Sequence, residues 1–385
     1  MVAGRRSPAA IARRFYPSGT SGEHSLRRAD TVESRLGRLP ATIGTGLPAP
    51  WQFPDERCSA ALPRARGADT GDLTTLMLLA LKIDVDSLRG TREGVPNLVA
   101  LLKKHGAGAT FLWSLGPDHS GRAMRRAFRS GYAERVRRAG LVGHYGARSL
   151  FHGTLLPGPD VGRRCADLMR SVRDDGFEVG VRAWDRVRWQ DGVVAADAAW
   201  TRAEMTRACE RFTDIFGTPP LAHAAAGWQS NVHALRLTQE LGFDYCSDGR
   251  GTHPHLPVWN AELVRCPQLP TTLPTTDELV GRDGITEDNV AAHVLELTRV
   301  PAASARVFTL RAEVEGRRFA PVLDRLLTGW RAQGYTLVAL REVLLRLQPL
   351  ALPRCCVGPG TVPGRVGEVL LQGDEFLGDV DLAAA

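Results

Sequence analysis

Asp84 and Asp86 stand one residue apart in Lys82-Ile83-Asp84-Val85-Asp86, directly behind the apolar run Leu76-Met77-Leu78-Leu79-Ala80-Leu81. Alternate side chains of a strand share a face, so both carboxylates point the same way. Two carboxylates side by side repel unless a cation lies between them or one carries a proton. The pair therefore suits a divalent-metal ligand next to a general base. A D-x-D at a strand end also serves simply as a polar terminus that caps the following helix. Polar residues at the other expected strand ends favour the chemical reading. They are Arg182 and Asp185, then Gly227, Trp228 and Gln229, then Ser247, Asp248 and Arg250, and finally Arg311 and Glu313.

The elements that must position these residues alternate strand with helix. Hydrophobic spacing predicts strands over 77–83, 109–115, 177–181, 221–224, 245–247, 307–310 and 336–338. It predicts helices over 94–105, 162–174, 201–216, 232–241, 286–300, 321–333 and 341–347. Thr201 with Glu204 reads as a capping box, Gly217 as a stop, and Thr286 before Asn289 as another box-like start. Regular alternation implies an α/β protein with a mostly parallel sheet, open or closed into a (β/α) barrel. Chemistry in such a barrel sits at the C-terminal ends of the strands.

Residues 1–76 read as an Arg/Gly/Pro-rich extension without regular structure. Residues 1–72 carry eleven arginines against seven acidic residues. Met77 is a credible alternative start. From 347 to 385 the chain is rich in Gly and Pro, ends acidic, and is expected to hold little regular structure. Apolar residues make up 43% of the chain, enough for a substantial core, yet no apolar run approaches the length of a membrane span. The N-terminus lacks the apolar stretch of a secretory signal. Seven cysteines with no C-x-x-C argue for reduced thiols in a cytosolic protein and against a structural zinc site. The net charge of +7 suits an anionic partner, but no nucleic-acid-binding pattern is present. In 119–151 eight arginines meet one acid, Glu134, with Met124, Phe128, Tyr132, Val136, Leu141 and Leu150 interleaved. That composition fits a basic amphipathic helix on an anionic membrane surface, or a solvated basic helix.

Several stretches, taken in order, resemble the polysaccharide deacetylase (NodB-homology) superfamily, in its lipid-linked formamido-sugar deformylase branch. They are IDVDSLRGTREG (83–94), SLGPD (114–118), VRAWDRVRWQ (181–190), AAAGWQ (224–229), SDGRG (247–251), LPTTLPTTDELVGRD (269–283) and TLRAEVEG (309–316). They cover nearly all of 77–346. The resemblance implies a distorted (β/α) barrel that hydrolyses the formamide of an undecaprenyl-phosphate-linked aminosugar, for lipid A modification and polymyxin resistance. It further implies work at the cytoplasmic face of the bacterial inner membrane, with a divalent metal as cofactor and 119–151 as the peripheral membrane contact. Carried over by position, Asp84 is the base and Asp86 a metal ligand.

Three family histidines are arginines here. The two metal-binding positions fall on Arg182 and Arg186, and the acid position falls on Arg311. A guanidinium has no lone pair for a metal and does not deprotonate at physiological pH. The metal is therefore expected to be lost or weakly held. His144, His152 or His223 are possible substitutes, and Asp185, Asp248 and Glu313 possible oxygen ligands. Two readings stay open. One is a hydrolase with a damaged metal site. The other is a homologue that binds the lipid-phosphate sugar through Arg182, Arg186 and Arg311, with Trp228, Asp248, Arg250 and Glu313 lining the pocket. The arginines serve equally well as internal partners of the aspartates.

Overall fold

The computed structural model describes residues 77–125, 152–154 and 156–378. The expected extension 1–76 and most of the basic segment, 126–151, lie outside the described residues.

Among the described residues eleven strands follow in chain order: β1 (Leu78–Val85), β2 (Thr110–Ser114), β3 (Glu178–Ala183), β4 (Ala222–His223), β5 (Tyr245–Cys246), β6 (Leu256–Trp259), β7 (Glu262–Leu263), β8 (Arg306–Arg311), β9 (Thr336–Val338), β10 (Arg354–Gly360) and β11 (Val369–Glu375). Seven of them form one sheet in the order β5-β4-β3-β2-β1-β8, with β9 also on β1. All its pairings are parallel, as the alternation with helices requires. β1 carries three partners because β9 meets its first half and β2 its second.

The two faces of β1 differ. Leu79, Leu81, Ile83 and Val85 pack outward in the main core with helices such as Val95–Lys104 and Ala320–Ala332. Leu78 and Ala80 face an inner plug with Ala222, Tyr245, Leu269, Val307, Val338 and Leu340. Further along the same inner face come Lys82, Asp84 and Asp86, all buried. The interior thus runs from apolar at the N-terminal end to charged at the C-terminal mouth. Among the described residues no regular strand closes the ring between β5 and β8. Residues 266–273 bridge the gap instead: Leu269 N donates to Cys246 O at 2.7 Å and Thr272 N to Val307 O at 3.1 Å. The barrel is therefore distorted, as expected.

The structure moves several expected boundaries. Strand β1 runs on through Asp84 and Val85. The helix expected to start at Thr201 spans Ala198–Phe216, because the Asp197 side chain accepts from Trp200 N and caps it three residues earlier. The helix expected over 286–300 is reduced to Val290–Leu297, although Thr286 N does donate to Asn289 Oδ1 at 2.7 Å. The tail is the main correction. β10 and β11 pair antiparallel, and β10 continues onto β6 to make a second sheet, β11-β10-β6-β7. Its Gly and Pro residues masked an apolar set, since Cys355, Val369 and Leu370 are buried. Arg250 N donates to Leu370 O and Gln372 N to Arg250 O, both at 2.8 Å, so the hairpin is docked on the rim of the mouth.

A candidate active site with a guanidinium between two carboxylates

The segment after β1 is built for close approach. Gly90 and Gly94 bound a tight, wide-turn helical segment, Gly90–Gly94. A Cβ on Gly90 would stand 2.1 Å from Glu313 Oε1, and one on Gly94 would stand 2.0 Å from the carbonyl of Ala312. Glycine at both positions lets the chain beyond Asp86 lie against the turn after β8. There Glu313 Oε1 accepts from Asp86 N at 3.1 Å and from Ser87 Oγ at 2.7 Å.

Asp84, Asp86 and Arg182 form the centre. Arg182 Nη1 lies 2.7 Å from Asp84 Oδ2, and its Nε donates to Asp86 Oδ1 at 2.8 Å. Ser114 Oγ, at the end of β2, donates to the same Asp86 oxygen at 3.1 Å. Arg186 Nε is 3.6 Å from Asp86 Oδ2. Arg186 opens the helix Arg186–Gly192, which Asp185 caps by accepting from Val187 N and Arg188 N. Arg311 stands opposite Asp84 in the β1–β8 register and pairs with Asp277 at 3.0 Å. The mouth therefore gathers both aspartates and all three arginines. Burial alone would push the Asp86 carboxyl up, but Arg182, Arg186 and Arg311 outweigh it and hold it below the usual carboxylate range. Burial, with Asp86 beside it, pushes Glu313 up to about 6. Burial also lowers Lys82 to about 8, where its Nζ donates to Ser247 O at 2.6 Å.

Could this centre hold a divalent metal? The atoms nearest the two carboxylates are guanidinium nitrogens, which are donors without a lone pair. Arg182 is 1% exposed and contacts both aspartates, so it fills the place a cation between them would take. A metal does not fit these residues. Arg182 is also committed inward and is not available to grip a phosphate.

The other candidate residues divide. His223 is held by Asp248, Nδ1 to Oδ1 at 2.7 Å, rather than by Asp84 or Asp86. Asp248 further accepts from Ala225 N at 2.8 Å and Gln268 Nε2 at 3.1 Å, so its carboxylate is oriented by its own chain. His152 Nδ1 is 3.7 Å from Asp118, and His119 pairs with Asp185 at 2.5 Å. His144 lies outside the described residues. Trp228 adopts a left-handed backbone (φ 56°), donates to Thr271 Oγ1 at 3.0 Å, and lies under three cations. Arg365, Arg250 and Lys82 stand 4.3, 5.1 and 5.4 Å from its ring centre. Arg250 is also anchored to Glu278 at 2.6 Å. Sequence reasoning passed over Ser114, Lys82, Asp277 and Arg365. Ser114 and Asp277 lie within the recognisable stretches; Arg365 lies in the tail and gave no signal.

No protein-family model matches the chain. A probable 4-deoxy-4-formamido-L-arabinose-phosphoundecaprenol deformylase from Shewanella sediminis is 35% identical over 266 residues, 69% of this chain and 85% of that protein. One from Wigglesworthia glossinidia brevipalpis is 27% identical over 285 residues, 74% of this chain and 98% of that protein. A putative polysaccharide deacetylase structure from Mycobacterium smegmatis shares the fold, with TM-score 0.51 and 17% identity, covering 78% of this chain and 98% of that one. Collinear sequence, curled parallel sheet and strand-end aspartates agree: the chain belongs to the polysaccharide deacetylase superfamily, in the family of these formamido-arabinose deformylases.

Proposed function

We propose that this protein binds the phosphoundecaprenol-linked aminosugar of its family without hydrolysing it. The observation that carries this reading is the Arg182 guanidinium, 2.7 and 2.8 Å from Asp84 and Asp86. The family's hydrolysis needs a Lewis acid to polarise the amide and acidify water. A guanidinium in that position supplies charge but no coordination site. With Arg311 in place of the imidazole acid, no group at that position gives up a proton near neutral pH.

Ligand binding then falls to the outer cations of the mouth. The Arg311–Asp277 pair is its more open one, at 13% and 18% side-chain exposure, against 1% for Arg182. A sugar phosphate can replace the Asp277 carboxylate on Arg311, whose Nη1 now lies 3.0 Å from Asp277 Oδ2. The arginine-rich composition of 119–151 suits contact with the anionic lipid that a ligand with its polyprenyl chain in the bilayer requires. No helix among the described residues is long and apolar enough to cross a membrane. The location that goes with this family's ligand is the cytoplasmic face of the inner membrane, held peripherally.

The test incubates the full chain with a short-chain formamido-arabinose phosphopolyprenol, measuring binding by calorimetry and formate by mass spectrometry. Binding without formate is expected. Arg311→Ala should weaken binding about tenfold, as loss of one charge-assisted contact does. The variant Arg182→His, Arg186→His, Arg311→His should release formate when a divalent metal is supplied. Catalytic formate release by the unaltered chain overturns the proposal.

A further inference from the structure

A second cluster lies on the other face of the sheet. His223 on β4 and Cys246 on β5 are register partners, and the next partner across, Val181, belongs to the outward, helix-facing core. Asp248 follows two residues after Cys246. Cys266 is brought alongside by the backbone bond from Cys246 N to Pro267 O at 2.8 Å. All four side chains are buried, at 4%, 0%, 1% and 3% exposure. Donor atoms of His223, Cys246 and Asp248 lie within 4.8 Å of one another, and Cys266 Sγ adjoins Cys246 Sγ at 3.5 Å.

We propose that His223, Cys246, Asp248 and Cys266 form a structural zinc site, separate from the carboxylate pair at the mouth. One imidazole, two thiols and one carboxylate are a donor set that zinc takes with four-coordinate geometry. In a tetrahedron with Zn–S about 2.3 Å and Zn–N or Zn–O about 2.0 Å, neighbouring donors stand roughly 3.3–3.8 Å apart. The sulfur–sulfur edge already has that length. The Nδ1–Oδ1 edge, 2.7 Å as a hydrogen bond, opens by a few tenths of an ångström to admit the ion. Asp248 and His223 are already oriented from behind, while Cys266 Sγ, outside the group within 4.8 Å, turns in from its bond to Phe243 O at 3.5 Å. Gln268 Nε2 and Ala225 N hold the Asp248 carboxylate, and Phe243 lies against the His223 ring at 5.3 Å.

Charge and protons balance. Zinc replaces one proton on each thiol, which leave to solvent, and the Nδ1 proton of His223 moves to Nε2. Two thiolates, one carboxylate and a dication sum to one negative charge. Lys82, buried with its ammonium on the Ser247 carbonyl next to Asp248, offsets it. The location gives the ion a role. β4 and β5 are two residues long, and 266–273 closes the ring without a regular strand. A zinc held by His223, Cys246, Asp248 and Cys266 fastens that seam.

The test measures metal content of the full chain purified from zinc-supplemented medium, and the absorption of the cobalt-substituted protein. One zinc per chain is expected, with a thiolate-to-cobalt charge-transfer band. Both should be lost in Cys246→Ser and in Cys266→Ser, and retained in the triple variant Asp84→Asn, Asp86→Asn, Arg182→Met, which removes the ion triad of the mouth. Should a cysteine variant fail to fold, chelation of the unaltered chain serves instead: the melting temperature should fall and recover on adding zinc. Absence of zinc and of the cobalt band overturns the site and leaves the proposed function standing. Metal that follows Asp84 and Asp86 rather than the cysteines overturns both.

Discussion

Replacing Arg182 by methionine keeps side-chain volume and removes the one charge that touches both aspartates. At an effective dielectric near 20, each of the 2.7 and 2.8 Å contacts is worth about 6 kcal/mol before desolvation. Taking three charges out of water cancels much of that, and breaking such a buried group typically costs about 3–5 kcal/mol. The cost depends on pH with a definite sign. In the unaltered chain Asp86 is held low, so its contribution is present above the ordinary carboxylate pKa and fades only as pH falls through its own depressed value. In the variant Asp86 loses its shortest cation contact and keeps only Arg186, at 3.6 Å, as an ion-pair partner, so burial pushes its carboxyl back up from the depressed value. Its ionised form then stabilises the fold less, and the loss is felt where Asp86 is charged. The gap between the two proteins is therefore widest near neutral pH and narrows in acid. Urea unfolding followed by fluorescence of the eight tryptophans measures it, at about pH 7.5 and about pH 4.5. The triple variant Asp84→Asn, Asp86→Asn, Arg182→Met removes all three charges and should recover most of the loss. A single variant within about 1 kcal/mol of the unaltered chain at neutral pH, or an equal deficit at both pH values, would refute the ion triad.

Two further outcomes follow from the turn that supports Asp86. Glu313 is pushed up from 4.5 to about 6, so its ionisation costs stability as pH rises between those values, and the cost is constant above. Glu313→Gln keeps the oxygen that accepts from Asp86 N and Ser87 Oγ, and its stability relative to the unaltered chain should rise as pH increases from 4.5 to about 6 and level off beyond. A flat difference across that range would count against a buried, ionising Glu313. Gly94→Ala places a Cβ 2.0 Å from the Ala312 carbonyl, backbone that cannot rotate away, and should lower stability by about 1–3 kcal/mol; an unchanged melting temperature would mean that this approach is looser than drawn.

Periodicity made the parallel sheet legible because each strand is a short apolar run followed by a helix. It failed where apolar residues are diluted. In the tail, glycines and prolines break every window of alternation, yet Cys355, Val369 and Leu370 reach the core through pairing with β6 and the rim. The caps failed differently. Thr201 and Glu204 look like a helix start, but Asp197 is the better acceptor and Thr201 is left inside the helix, its hydroxyl bonded back to Asp197 O. At the mouth, Asp84 and Asp86 were legible from spacing alone. Which partner Arg182 takes was not, because a sequence places an arginine near two aspartates without saying whether it faces them or solvent. The Cys246–Cys266 contact was hidden for the same reason. Twenty residues separate them, and only the bridge from β5 to 266–273 brings their sulfurs together.

Arginine at 182 and 186, the positions to which the family resemblance assigns metal-binding histidines, has a consequence that alanine or asparagine there would not share. Two carboxylates and a dication form a neutral group; two carboxylates with Arg182 and Arg186 form a neutral group as well. Alanine or asparagine at those positions would leave Asp84 and Asp86 charged, buried and alone, and the barrel would lose several kcal/mol. The guanidinium of Arg182 has the reach to contact both carboxylates, as an ion pair with Asp84 at 2.7 Å and a hydrogen bond to Asp86 at 2.8 Å. The scaffold can therefore keep its charged mouth folded without a metal. The proposed loss of hydrolysis rests on the difference between two tasks: a guanidinium neutralises charge, but it does not activate water as a Lewis acid does.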